Sequence, residues 1–135
     1  MNKLSFSIAK LLTVLLLSGF AHATPDHAHG PEDSAIGAPG VAAKVNRTVS
    51  IKMSDAMRFI PSGIKVKQGE TIRFVIRNSG KIKHEFILGT AKELQQHYEL
   101  MKKFPKMEHA DPNMVSVAPG KVGEVIWQFT KAGEF

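Results

Sequence analysis

The chain has 135 residues, with 18 basic and 12 acidic side chains, a formal charge of +6 and no cysteine. That length suits one domain around one core, and the charge is spread along the chain instead of gathered into the basic stripe that a nucleic-acid surface needs. With no cysteine there is no disulfide in any compartment, so the fold must rest on an apolar core or on a metal.

Lys3 and Lys10 precede the apolar run Leu11–Phe20, which is followed by Ala21-His22-Ala23. A basic flank, a short apolar stretch and a small-x-small site predict a secretory signal peptide over residues 1–23. A bilayer core of about 30 Å needs roughly 20 apolar residues, so the run is too short for a membrane anchor. The mature chain then starts at Thr24, with a bacterial periplasm as its expected location and no anchor after cleavage. Without Lys3 and Lys10 it holds 16 basic and 12 acidic residues, a net +4. Residues 24–44, rich in Pro, Gly, Ala and charge, predict a flexible leader that buries too little apolar surface to offset its ordering entropy. It carries His27 and His29.

From Val45 to Phe135 the pattern has mostly a period of two. Val45, Val49, Ile51 and Met53 share one face of a first strand, with Arg47 the polar exception. Met57–Ile60 leads to a Pro-Ser-Gly turn, Ile64 and Val66 alternate with lysines, and Gln68-Gly69-Glu70 turns the chain again. Ile72, Phe74 and Ile76 face inward on the next strand, and Asn78-Ser79-Gly80 turns into a strand that opens with His84. Thr90-Ala-Lys-Glu93 is a capping box. Leu94, His97 or Tyr98, Met101 and Phe104 then recur at helical spacing, predicting a helix of about three turns that Pro105 ends. Met114–Val117, an Ala-Pro-Gly turn and the alternating run Val122–Phe129 close the pattern, with Trp127 on the core face. Short strands between turn signals predict an all-β sandwich with one inserted α-helix. Glu134-Phe135, after the Lys131-Ala-Gly133 turn, reads as the opening of a further strand, so the sandwich is expected to lack its last strand or strands.

One histidine between Lys83 and Glu85 is by itself a weak signal. In context, "NSGKIKHEF", the inserted "AKELQQHYELMKKFP", "MEHADPN", the "APG" turn and "VIWQFTKAGEF" together resemble the cupredoxins, the blue-copper family of plastocyanin and azurin. They are most similar to its periplasmic bacterial members associated with copper tolerance. The resemblance covers about Val45 to Phe135 and implies a Greek-key β-sandwich with His84 as the first copper ligand. It also implies that a cysteine, a second histidine and a methionine follow "GEF" on one loop. A type 1 site joins two imidazoles, a thiolate and a weak axial thioether, a set suited to both Cu(I) and Cu(II). Only His84 of that set is in this sequence, and Glu85 stands where plastocyanin and azurin have asparagine. Glu85 either braces the site or is a surface charge.

Two accessory copper constellations are open. His27 and His29 could capture Cu(II) beside the new N-terminus, or they belong to a polar linker. Met101, Met107, His109 and Met114, with His97 one turn before Met101, could hold Cu(I) through thioethers, although Met101 also lies at core spacing and methionine is common core filler. No nucleophile with a base, paired acid motif or phosphate loop points to an enzyme. The expected function is a copper-binding protein in electron transfer or copper tolerance, with copper and a periplasmic redox or copper-handling protein as partners. The alternatives are a copper-free β-sandwich interaction module and a domain of a multicopper enzyme.

Overall fold

The structure, a computed structural model, describes residues 34–108 and 110–135. The expected signal peptide, residues 24–33 of the expected leader, and His109 lie outside them. Among the described residues the strands are β1 (Gly37–Pro39), β2 (Arg47–Ser54), β3 (Arg58–Ile60), β4 (Thr71–Asn78), β5 (His84–Ile87), β6 (Met114–Val117) and β7 (Val122–Phe129), with one α-helix, α1 (Ala91–Lys103), and a short 3-10 turn at Ala42–Lys44. A five-stranded sheet runs in the order β1-β7-β4-β2-β3, and β5 pairs with β6 in a second sheet. This is the expected all-β sandwich with one inserted helix.

Alternation explains which faces meet. On β4, Ile72, Phe74 and Ile76 are each at most 2% exposed, and Val125, Trp127 and Phe129 of β7 lie on the same inner face. From the second sheet Phe86 reaches Phe74, their ring centroids 5.7 Å apart. Strand β6 packs tightly on β7 at Gly123, where a Cβ would come within 2.8 Å of the Val115 and Val117 side chains, so glycine is required by close packing. β2 and β4 run parallel, with Val49 opposite Phe74 and Ile51 opposite Ile76. A parallel pair cannot be joined by a hairpin. Residues 55–70 make the crossover, and within it Ile64 and Val66 pack against the core without joining a strand.

Arg47, the polar exception on β2, has a structural role. Its Nε donates to Glu70 Oε1 at 2.6 Å and its guanidinium to the Lys65 carbonyl, tying the start of β2 to the turn before β4. The Arg47 guanidinium, with the Lys67 N–H, holds the Glu70 carboxyl below the ordinary glutamate range. The unfolded chain therefore takes up this proton first as pH falls. The stabilisation is complete above the ordinary glutamate pKa and is lost as pH drops through the depressed folded value. The melting temperature is expected to fall in acid, and Glu70→Gln to flatten that fall.

The leader expectation needs correction where it overlaps the described residues. Gly37–Pro39 pairs antiparallel with β7, opposite Phe129, Gln128 and Trp127, and Ile36 is fully buried. The ordered domain thus includes residues 34–44. One isoleucine among Gly, Ala and Pro is too sparse to reveal a three-residue strand by periodicity. Ile36→Val is expected to cost about 0.5–1.5 kcal/mol in urea unfolding, where a flexible leader would show no change.

Helix α1 begins as predicted: Thr90 accepts from the Glu93 N–H while Glu93 reaches back to the Thr90 N–H. None of its residues is buried, Met101 included, so the helical spacing does not mark a core face. Polar anchors hold the helix: Glu93 accepts from the Ala35 N–H, and His97 meets Glu85.

Candidate functional site

The turn before His84 is organised by Asn78, which is fully buried. Its Nδ2 donates to the Ile82 carbonyl at 2.7 Å and the Val117 carbonyl at 2.8 Å, while its Oδ1 accepts from the Gly80 N–H at 2.8 Å. One side chain thereby closes the 78–82 loop and fastens it to β6. The N–H of Lys81, which this loop presents outward, donates to Asp55 at 2.8 Å.

Asp55 sits at the tip of the β2–β3 hairpin. Met57, two residues on, has a φ of +55°, a left-handed conformation that costs a side-chain-bearing residue about 1–2 kcal/mol. The hairpin bends Asp55 over the 78–82 loop, and its Oδ1 lies 2.9 Å from His84 Nε2. The Lys81 N–H, followed by the His84 ring, holds the Asp55 carboxyl below the ordinary aspartate range. His84 opens β5 with only 9% of its surface exposed. Its Nδ1 has no hydrogen-bond partner among the described residues.

Glu85 points to the opposite face of β5. Its Oε2 is 3.1 Å from His97 Nε2 on α1, and its Oε1 accepts from the Ser116 hydroxyl at 3.2 Å. Beside this network lies a hollow of about 800 Å³ whose walls include Lys83, Glu85, Met101, Met107 and Ser116. Glu85 is therefore engaged with the helix and with β6, and is more than a surface charge.

His84 is thus buried and anchored. Met101 and Met107 share one hollow, whereas Met114 is buried on β6 and does not line it. His27, His29 and His109 fall outside the described residues. Among the described residues no three His, Cys, Asp or Glu side chains gather as a metal site. Sequence reading missed Asp55, which is 29 positions from His84 and has no motif of its own; only the hairpin brings the two together.

Fold and site together define a β-sandwich with a buried, carboxylate-anchored imidazole at the start of one strand. No family model matches the chain. The copper-resistant cuproprotein CopI of Rubrivivax gelatinosus is 55% identical over 117 residues, which are 87% of this chain and 70% of that protein. The copper-resistant cuproprotein CopI of Pseudomonas aeruginosa is 36% identical, covering 92% of this chain and 82% of the relative. That of Vibrio cholerae is 33% identical, covering 87% and 79%. The chain belongs to the family of copper-resistant cuproproteins CopI, a copper-resistance family.

Proposed function

We propose that this protein is an exported, non-enzymatic copper-binding protein of cupredoxin type that serves copper tolerance, and that His84 supplies an imidazole to the metal. The observation that carries this reading is the state of His84: buried, held through Nε2, and with Nδ1 uncommitted. An imidazole fixed by a carboxylate through its second nitrogen is the usual arrangement of a metal-ligating histidine. The relatives' names support copper as the metal, and the signal-like residues 1–23 support the periplasm.

The donor set fits copper in part. His84 suits it, but the chain contains no cysteine, so these 135 residues supply no thiolate for a type 1 centre. Copper, when bound, would supply a one-electron redox couple and a Lewis-acidic ion. The protein's own part is to bind it and to limit its access to water. The thioethers of Met101 and Met107, on one hollow, favour Cu(I), and His27 and His29 favour Cu(II). These extras favour copper handling over electron carriage, which does not need them.

Titration of the full chain with Cu(II) is expected to broaden the His84 ring signals without the intense visible band of a copper thiolate. His84→Ala should abolish binding at this position, leaving any leader binding intact. Undisturbed His84 signals at saturating Cu(II) would refute the assignment. In cells, a His84→Ala chain that still confers full copper tolerance would refute the role.

A further inference from the structure

We propose that Asp55 is the positioning residue for His84: its carboxylate fixes the imidazole with the proton on Nε2 and presents the Nδ1 lone pair to the metal, and Gly80 is the residue that lets the carboxylate reach the ring. This rests on the copper reading of His84 above. An ionised carboxylate is a hydrogen-bond acceptor only, so an imidazole 2.9 Å from Asp55 Oδ1 must donate from Nε2. In a neutral ring the proton on one nitrogen leaves the lone pair on the other.

The carboxylate is itself held in place. Both its oxygens accept from the Lys81 N–H, at 3.0 and 2.8 Å, so turning away would exchange a charge-assisted bond to the backbone for one to water. Gly80 lies directly beneath this contact. A Cβ there would overlap the Asp55 carboxylate and come within 3.0 Å of His84 Nε2. The glycine in the turn therefore serves a close approach between two side chains as much as the turn itself.

The test uses the full chain, labelled with nitrogen-15, at mildly alkaline pH where imidazoles are neutral. The ring-nitrogen shifts of His84 should show a protonated Nε2 and a bare Nδ1. In Asp55→Ala and in Gly80→Ala the ring should become a mixture of tautomers, while the Trp127 indole signal stays in place as a check on the core. The Cu(II) concentration that half-broadens the His84 signals should rise about 10- to 100-fold in Asp55→Ala, the usual cost of losing such a partner. A proton on Nδ1 in the unsubstituted chain overturns the proposal whether or not copper binds, and so does a tautomer that Asp55→Ala leaves unchanged. If the tautomer behaves as stated but Cu(II) never broadens His84, the copper reading fails, and with it the metal-presenting role of Asp55.

Discussion

Phe74→Ala is expected to cost about 3–5 kcal/mol, a large part of the 5–15 kcal/mol that holds a small domain together. Phe74 stands at the middle of β4, 2% exposed, between β2 and β7. Its ring meets Phe86 of the second sheet at 5.7 Å and Phe129 of its own sheet at 6.2 Å. Removing it deletes transfer energy and leaves a cavity that two paired sheets cannot close easily. The consequence reaches the site, because Phe86 lies two residues after His84 on the same inward face of β5. Urea unfolding followed through Trp127 should show a lower midpoint with an unchanged slope. Phe74→Leu, which keeps much of the volume, should cost clearly less. A loss under about 1 kcal/mol in the alanine variant would mean that the sheets are held by something other than this aromatic contact.

The parts legible in the sequence are those with local causes. The alternation of Ile72, Phe74 and Ile76 and of Val125, Trp127 and Phe129 identified both faces of the central strands, because pleat geometry links period to burial. The Thr90–Glu93 box located the start of the helix for the same reason: its bonds close within three residues. What failed was long-range. Strand β1 is recognisable only against β7, some 90 residues away, which supplies the ladder that its own composition does not suggest. Met101 kept helical spacing without burial, because α1 is anchored by Glu93 and His97 and not by an apolar face. At the site, His84 and Gly80 could be read from one stretch. Asp55 could not, since its link to them passes through the β2–β3 hairpin and a backbone donor on a neighbouring loop.

Asn78→Ala is the second change with a large expected effect, about 2–4 kcal/mol, and its origin is polar. The side chain makes three hydrogen bonds in a fully buried position. Each is worth only about 0.5–1.5 kcal/mol net, but a buried partner left unpaired costs about 1–3 kcal/mol. The Ile82 carbonyl and the Gly80 N–H lie in a loop that water can reach, so the Val117 carbonyl, bonded in the interior, carries most of the penalty. Asn78→Asp separates this account from simple loss of volume. A carboxylate of the same shape cannot donate to the two carbonyls, and burial raises its pKa. The folded variant then binds a proton that the unfolded chain has already released, so its stability falls as pH rises through the unfolded value. The unsubstituted chain is expected to have the opposite slope in acid, where Glu70 loses its pairing with Arg47. Chemical unfolding of Asn78→Asp on both sides of the ordinary aspartate pKa should therefore find it relatively stronger at the lower pH. Equal losses at both would mean that the two donated bonds do not hold the 78–82 loop. Because that loop carries the Lys81 N–H that grips Asp55, either substitution should also loosen the contact between Asp55 and His84, which couples the buried amide to the candidate ligand.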